Sequence, residues 1–333
     1  MNYHNNPLLS VIIPTYKRPA LLKRAIHSAL KAAPDGDVEV IVVPNGNDDS
    51  WKNVAEAEKN DHRIKWFYIS RGHACTARNH GLSIACGKYI RFLDDDDILL
   101  PEACAQIERM ELACAEISSA PLLINSLGGR EMGRVAGLPE TSDFFVAALL
   151  SVGVGMTEGS VFLRSSIDGR AWRDDLILYD DYLWMLSLAK EKEWNWIKHE
   201  NAVGEYSQHF LGERLSRVRR SESNLRQLVD SIFDVYRSCL KNNRLSEQRK
   251  DAVAAALLSY AHSAFPSCPI YLSHVMYEAL LIAPEAMPLH PLFRRNEWLS
   301  KNLIMTEWIL LPLRYFSQLN KRAYQRSRSF LTK

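Results

Sequence analysis

The chain has 333 residues, of which 47% are hydrophobic and 24% charged, and its formal net charge is +2. This length accommodates one large domain with an appendage, or two moderate domains, around a sizeable core. The small net charge argues against a nucleic-acid partner. The six cysteines are scattered without a C-x-x-C pair, which argues against a thiolate metal site and indicates reduced thiols.

The sequence shows no targeting or membrane-spanning segment. Residues 1–9 are polar and lack the basic and then apolar layout of a secretory signal. No apolar run approaches the ~20 residues that a spanning helix needs. We therefore expect a cytoplasmic protein, soluble or peripheral at the inner face of the cell membrane.

Short apolar strands alternate with helices through the first third of the chain. Strands are predicted at residues 9–13, 38–43, 65–69 and 89–93, and helices at 21–33, 77–85 and 101–115. This alternation indicates βαβ units, which form a mainly parallel sheet flanked by helices. Because ligands of such sheets bind beyond the carboxyl ends of the strands, we expect Thr15, Asn45 and Asp94 at one edge.

The remaining pattern changes from mixed to helical. Residues 127–138 are rich in glycine and charge and are predicted to form a loop, with a strand at 160–163 and a helix at 180–193. Beyond residue 221, long helical periodicities cover 225–240 and 251–264. The sequence therefore predicts an α/β domain over residues 1–220 and a helical C-terminal region over 221–333.

Four consecutive aspartates, Asp94 to Asp97, directly follow the strand predicted at 89–93. Adjacent carboxylates repel one another, so a strand end that carries four of them usually faces a cation or hydrogen-bond donors. Such oxygen ligands favour Mg²⁺ or Mn²⁺ over zinc. A solvated acidic turn is the alternative, but the flanking apolar residues hold the run at a sheet edge, which favours a metal or nucleotide site.

Five segments, in order, resemble the family 2 glycosyltransferases with the GT-A fold. They are SVIIPTY (10–16), VIVVPNG (40–46), ARNHG (77–81), GKYIRFLDDDD (87–97) and the pair Asp180-Asp181. The resemblance implies an inverting, metal-dependent transfer of a hexosyl or N-acetylhexosaminyl group from a nucleotide-diphosphate sugar to a glycan or lipid-linked acceptor. It implies bacterial polysaccharide or lipopolysaccharide assembly, a nucleotide-binding half over 1–115 and an acceptor half over 116–220.

The same resemblance implies roles for the matching residues. The residues expected around the donor nucleotide and its sugar are Pro14, Thr15, Tyr16, Asn45, Arg78, Asp94 and Asp95. Within that set, Arg78 would contact the base or the diphosphate, and Asp94 would meet the ribose or the donor sugar. Asp96 would bind the Mn²⁺ or Mg²⁺ that bridges the phosphates, with Asp97 as a supporting carboxylate.

The pair Asp180-Asp181 resembles the family's acidic pair, whose second member is the general base. A sugar hydroxyl is a poor nucleophile and needs such a carboxylate within hydrogen-bond reach. Apart from the resemblance, the pair is typical of a helix N-cap with a favourable dipole interaction. His209 would complete the metal shell, although an isolated histidine is more often a surface residue.

One position departs from the family pattern. Pro44-Asn45-Gly46 stands where the family commonly has two aspartates before a glycine. An aspartate there accepts the imide N–H of uracil. The amide oxygen of Asn45 can also accept, without the strength of a charge, and its amide nitrogen can donate to a different base. UDP-sugars stay favoured, and another base stays open.

Residues 301–333 carry seven basic residues against one acidic residue, Glu307, and include the apolar run 308–313. This composition fits an interfacial anchor on an anionic membrane surface. A core helix followed by a basic solvated tail fits equally well, and Pro312 is expected to interrupt the helix.

Two other functions compete with the transferase. A nucleotidyltransferase of activated sugars would need a glycine- and lysine-rich loop after the first strand, and residues 14–18 supply little of it. A non-catalytic sugar-nucleotide-binding scaffold of a polysaccharide assembly complex would not need to keep both Asp96 and Asp181.

Overall fold

A computed structural model describes residues 6–126, 134–151, 153–175, 178–208 and 222–331. The chain divides into two compact units, residues 1–218 and 219–333. No helix in the described ranges combines the length and apolar character needed to cross a bilayer.

The first unit contains two sheets. Its strands are β1 (Leu9–Thr15), β2 (Val38–Pro44), β3 (Ile64–Trp66), β4 (Tyr89–Phe92), β5 (Ile98–Leu99), β6 (Ile117–Ser119), β7 (Leu122–Ser126), β8 (Arg134–Ala136), β9 (Ser160–Leu163), β10 (Trp196–Lys198) and β11 (Gly204–Gln208). The larger sheet has the strand order β10-β6-β9-β4-β1-β2-β3, and the smaller sheet has the order β5-β11-β7-β8. Only β9 runs antiparallel to its neighbours in the larger sheet, so that sheet is mainly parallel.

Helices flank the larger sheet. They are α1 (Pro19–Ala29), α2 (Lys52–Ala57), α3 (Ala74–Ile84), α4 (Glu102–Leu112), α5 (Phe144–Leu150) and α6 (Asp180–Glu191). Strand β1 is buried at every position, as expected for a central parallel strand covered on both faces. Helix α1 begins at Pro19 and buries Leu22, Ala25, Ile26 and Ala29, one face at helical spacing. The predicted α/β fold class is confirmed.

The second unit is helical in its described residues. Its helices are α7 (Glu222–Lys241), α8 (Glu247–Ala264), α9 (Pro269–Ile282), α10 (Pro291–Arg294), α11 (Glu297–Lys301) and α12 (Leu303–Leu331). Helices α7, α8, α9 and α12 pack on one another. The apolar side chains at helical spacing on α7 are buried in this core: Leu225, Leu228, Val229, Ile232 and Val235.

Two predictions of local structure are wrong. Residues 134–136 of the expected loop form β8, because pairing with β7 supplies the hydrogen bonds that a short polar segment cannot provide for itself; residues 127–133 lie outside the described ranges. Helix α12 also continues through Pro312. Pro312 is exposed, so the carbonyl group that loses its helical partner can bond to water.

Candidate active site

The carboxyl ends of β1, β2 and β4 lie side by side at one edge of the larger sheet. The parallel register pairs Thr15 with Pro44 and Ile12 with Phe92, so the residues after these strands emerge together. The backbone N–H of Asn45 donates to the Thr15 carbonyl at 3.1 Å. The Thr15 hydroxyl in turn donates to Asp95 at 2.7 Å.

Asp95 fixes the start of the loop between β1 and α1. Besides the Thr15 hydroxyl, it accepts hydrogen bonds from the Tyr16 backbone N–H at 3.2 Å and from Arg18 at 2.9 Å. Burial raises the pKa of Asp95 to about 6, with the charge of Arg18 opposing the rise. These contacts are all with protein groups, and the expected contact of Asp95 with the donor stays a prediction.

The nucleotide side of the edge is formed by Pro14, Tyr16, Asn45 and a glycine turn. Pro14 is buried within β1, and the Tyr16 side chain is 44% exposed. Gly46 has φ +71°, and a Cβ there would lie 3.0 Å from the backbone of Gly72 and 3.3 Å from the Tyr16 ring. Both the conformation and the close approach require glycine at position 46.

The side chain of Asn45 has a defined orientation. Its amide nitrogen donates to the Thr15 carbonyl at 3.0 Å, and the residue is buried. One N–H of the amide is used by this bond, so the amide oxygen can accept a further hydrogen bond and the second N–H can donate one.

Three aspartates after β4 converge. Asp94, Asp96 and Asp97 each place one carboxylate oxygen within 4.8 Å of the other two. Asp97 Oδ1 accepts from the backbone N–H of Ser207 on β11 at 2.7 Å. Within the described ranges, Asp97 Oδ2 and Glu158 Oε2 are buried without a hydrogen-bond donor. Asp94 also accepts from Arg78, and Asp96 lies 3.1 Å from Arg18. The orphaned oxygen of Asp97, among carboxylates that repel one another, fits a divalent cation held by the three aspartates.

The electrostatics of this cluster follow from burial and crowding. Burial, followed by the negative charges of Glu158 and Asp96, raises the pKa of Asp97 well above its usual range. Burial and the charge of Asp94 raise the pKa of Glu158 to about 7. A bound cation would reverse both shifts, because it stabilises the ionised carboxylates.

Arg78 on α3 joins the aspartate cluster to helix α6. Its guanidinium donates to Asp94 and to Asp180, each at 2.7 Å, and lies 3.8 Å from a carboxylate oxygen of Asp181. Only 3% of Arg78 is exposed. Burial alone would lower its pKa, but the charges of Asp94, Asp181 and Asp180 raise it well above its ordinary value. The residue is therefore a fixed positive charge between two acidic groups.

Helix α6 begins with Asp180 and Asp181, preceded by Tyr179 in the left-handed conformation at φ 66°. The expected aspartate N-cap is wrong, because Tyr179 is the N-cap and Asp180 accepts from Arg78. Both aspartates do lie in the first turn of α6, where the helix dipole favours negative charge. Asp181 Oδ1 accepts from the Thr157 hydroxyl at 2.9 Å. Burial and then the charge of Asp180 raise the pKa of Asp181 well above its usual range. A raised pKa improves a carboxylate as a proton acceptor.

An aromatic pair supports Arg78. The Arg78 guanidinium lies 4.5 Å from the centre of the Trp172 ring, and Trp172 stacks on Trp184 of α6 with ring centres 4.9 Å apart. Asn79, next to Arg78, binds both backbone groups of Trp172: its Oδ1 accepts at 2.7 Å and its Nδ2 donates at 2.9 Å. Trp172 thereby ties α3 to α6.

Sequence reasoning missed several contributors. Thr157, Glu158 and Trp172 were not singled out, and neither was Asp48, which accepts from the Lys17 backbone N–H at 2.7 Å. The sequence does contain a signal for Glu158, since this carboxylate lies two residues before the apolar strand at 160–163, much as the aspartates lie close to β4. His209 lies outside the described ranges, so its role as a metal ligand stays a prediction.

Comparison with known proteins gives consistent results. The family "Glycosyl transferase family 2" matches residues 10–166. The GalNAc(5)-diNAcBac-PP-undecaprenol beta-1,3-glucosyltransferase of Campylobacter jejuni is 29% identical over 191 residues, which are 56% of this chain and 61% of that protein. The uncharacterised glycosyltransferase EpsJ of Bacillus subtilis is 37% identical over 27% of this chain and 26% of its own length.

Solved structures match over most of the chain. TarS residues 1–349 of S. aureus, in complex with UDP-GlcNAc, superposes with a TM-score of 0.64 at 16% identity, covering 83% of this chain and 82% of that one. At this identity the likeness establishes the GT-A fold. Residues 10–166 of the chain are thus similar to the family 2 glycosyltransferases. It spans less than two thirds of the length of the curated relatives named above.

Proposed function

We propose that this protein transfers a sugar from a nucleotide-diphosphate donor to a hydroxyl of a glycan or lipid-linked acceptor, with inversion at the anomeric carbon and dependence on a divalent metal. The observation that carries the proposal is the chain of contacts from Asp94 through Arg78 to Asp180 and Asp181. The buried guanidinium of Arg78 contacts both the candidate metal cluster and the candidate base. The proposed metal ligands and the proposed base, which a direct displacement needs together, are therefore assigned to one site.

Asp181 is proposed as the general base. Burial and the charge of Asp180 raise the pKa of Asp181, and a more basic carboxylate is a stronger acceptor for the proton of a sugar hydroxyl. The Thr157 hydroxyl bonds to Oδ1 and so orients the carboxylate. Asp180 is proposed to position Arg78, which accounts for its ion pair at 2.7 Å. Displacement from the face opposite the leaving group would then invert the anomeric configuration.

Asp94, Asp96 and Asp97 are proposed to hold Mn²⁺ or Mg²⁺, which would neutralise the charge that develops on a departing nucleotide diphosphate. Arg18 lies 3.1 Å from Asp96 and 2.9 Å from Asp95, and so positions the second and third aspartates of the run. His209 is retained as a proposed additional ligand.

A UDP-sugar is the proposed donor. The bond from Asn45 to the Thr15 carbonyl uses the amide nitrogen. The amide oxygen can therefore accept a hydrogen bond from the imide N–H of uracil. Tyr16, half-exposed beside Gly46, offers a ring against which a base can stack. The proposed lipid-linked acceptor is supported by the name of the Campylobacter relative, whose substrate is an undecaprenol-linked glycan.

The test is a screen of UDP- and GDP-sugars for thermal stabilisation in the presence and absence of Mn²⁺, followed by transfer assays with the donor that binds. We expect a UDP-sugar to raise the melting temperature only with the metal. The anomeric configuration of the product, read by NMR, checks the inversion. Donor binding without hydrolysis or transfer to any acceptor would favour the non-catalytic scaffold. Formation of a nucleotide-diphosphate sugar and free diphosphate from a sugar phosphate and a nucleoside triphosphate would favour the nucleotidyltransferase.

A further inference from the structure

Helix α9 carries an apolar stripe that is exposed to solvent. Ile270, Tyr277 and Leu281 are 81, 53 and 61% exposed. Together with the exposed His274 they follow the spacing i, i+4, i+7 and i+11, which places them on one face of the helix. The other face of α9 is buried through Leu272, Val275, Met276 and Ala279, so the exposed stripe is not needed for the core.

Helix α12 carries a second exposed stripe. Its members are 44 to 69% exposed and share one face: Met305, Trp308, Ile309, Leu313 and Phe316. The indole N–H of Trp308 donates to the Ser273 hydroxyl of α9 at 3.0 Å. The two stripes are therefore neighbours, and we call them together the apolar face.

The charged residues within this part of α12 point inward. Glu307 is fully buried and pairs with Arg314 and with His262 of α8. No other ionisable group of Asp, Glu, Lys or Arg occurs between residues 305 and 316. The apolar face of α12 is therefore uncharged, and the ion pair fixes which side of the helix is turned outward.

Charge is distributed unevenly between the two units. Residues 219–333 carry 17 Lys and Arg against 9 Asp and Glu, a formal charge of +8, which leaves 24 against 30, or −6, for residues 1–218. Five of the basic residues follow the apolar face along the sequence: Lys321, Arg322, Arg326, Arg328 and Lys333. No acidic residue follows Glu307.

We propose that the apolar face of α9 and α12 is a membrane-docking surface that inserts into the headgroup region of an anionic bilayer. The α12 part of this face is uncharged, and its α9 part is bordered by the exposed pair His274–Glu278; an apolar face next to a basic segment is the combination that binds such interfaces. Trp308 and Tyr277 are the amphipathic ring types enriched at the membrane–water boundary. A second copy of the chain is the less favourable occupant, because it would bring two units of charge +8 together.

The docking surface is larger than the anchor expected from the sequence at residues 301–333. Ile270, Tyr277 and Leu281 add α9 to the contact. Deleting residues 301–333 is not a suitable test, because Leu303, Thr306 and Glu307 are buried and their loss would unfold the second unit.

The experiment is flotation of the full-length protein with phosphatidylcholine vesicles that contain or lack phosphatidylglycerol. The face variant combines Ile270→Gln, Leu281→Gln, Leu313→Gln and Phe316→Gln. The matched control combines Leu112→Gln and Leu240→Gln, which are 87 and 53% exposed but lie on neither helix. We expect wild type and control to float with anionic vesicles, less so at high salt, and the face variant to bind at least about tenfold more weakly.

Thermal melting and tryptophan emission separate a loss of membrane binding from a loss of folding. Thermal melting should be the same for the face variant and the control, and anionic vesicles should shift the tryptophan emission of wild type to shorter wavelength, with a smaller shift in Trp308→Phe. Equal flotation of face variant and control, or no flotation of wild type, would overturn the proposal. So would a wild-type oligomer that dissociates in the face variant while flotation is unchanged. Flotation requires neither donor nor acceptor, so its failure leaves the proposed transferase function standing.

Discussion

Arg78 of α3 and Asp180, the first residue of α6, form an ion pair at 2.7 Å in which the guanidinium is buried and the carboxylate is 21% exposed. The same guanidinium binds Asp94 at 2.7 Å. Removing one partner of a buried charge cluster leaves uncompensated charge and is strongly destabilising. This pair therefore links the stability of the first unit to the geometry of its candidate active site.

Arg78→Lys should retain the positive charge but lose the simultaneous bonds to Asp94 and Asp180, because an ammonium cannot reproduce the planar fork. We expect a folded protein with transfer reduced on the order of tenfold to a hundredfold, whereas Arg78→Ala should lower the unfolding free energy by about 3–5 kcal/mol. Denaturant unfolding and kinetic assays measure the two effects. Full activity in a folded Arg78→Ala variant would contradict the positioning role.

Asp181→Asn should keep the size of the side chain and its acceptance from Thr157 while losing the proton acceptor. Removal of a general base lowers the rate ~10²–10⁴-fold, so kcat should fall while the donor Kd changes little.

The matched control is Asp180→Asn, which keeps an oxygen facing Arg78 and should reduce kcat far less. If Asp180→Asn is inactive and Asp181→Asn active, the two roles are exchanged. If both turn over normally, the proposed mechanism has no base and the scaffold function becomes the better one.

Asp96→Ala should abolish metal-dependent donor binding without unfolding the protein. Asp95 still pairs with Arg18 and Thr15 in this variant, so the loop after β1 keeps its anchor, while Asp94 and Asp97 alone provide too few oxygens for the cation. Titration calorimetry with UDP and Mn²⁺ measures the effect. An affinity equal to wild type would remove Asp96 from the metal site.

Asn45→Asp removes the donation from Asn45 Nδ2 to the Thr15 carbonyl but should still strengthen binding of uridine nucleotides, because a charged acceptor forms a stronger bond to the imide N–H than an amide does. The expected gain is about threefold to tenfold in the Kd of UDP, with no gain for GDP or for CDP, which lacks the imide. Competition against a fluorescent UDP analogue provides the measurement. A larger gain for GDP or CDP than for UDP would indicate that Asn45 contacts a different base.

The stability of the metal-free protein should depend on pH through the buried carboxyl groups. The pKa values of Glu158 (about 7) and Asp95 (about 6) lie above those of an unfolded chain. The folded state thus holds protons that the unfolded state releases, so stability falls as pH rises from about 4.5 to about 7. One pKa unit corresponds to about 1.4 kcal/mol, and we expect Tm to drop by roughly 5 °C between pH 5.5 and 7.5 in EDTA.

His199 acts in the opposite direction, because burial lowers its pKa and its protonation at low pH opposes folding. The variant Glu158→Gln isolates the contribution of the Glu158 carboxyl group to this pH dependence, and the Tm of the variant should fall less than that of wild type across the same pH range. Mn²⁺ should stabilise wild type more at pH 7.5 than at pH 5.5. Parallel pH profiles for the two proteins would show that Glu158 does not titrate as stated.

Much of the first unit could be predicted from the sequence, because its central strands are continuous apolar runs with sharp ends. Strand β9 was predicted at its observed bounds, and β1 and β2 within two residues. The short strands β5, β6, β7, β8 and β10 were not predicted as strands, since their residues form no distinct apolar or alternating run and pairing with a neighbouring strand decides their conformation.

The sequence by itself determined that carboxylates follow β4 and that an acidic pair begins a later helix, because local patterns and an apolar strand end fix those positions. Only the tertiary structure decided that Arg78 lies between Asp94 and Asp180, that Asp95 serves the loop after β1, and that Thr157 orients Asp181. These partners are 16 to 102 residues apart in the chain, and long-range packing of β1, α3 and α6 brings them within hydrogen-bond distance. The spacing of these residues along the sequence does not determine the spatial distances between their side chains. Burial and charge pairing in the folded unit select one arrangement of the side chains.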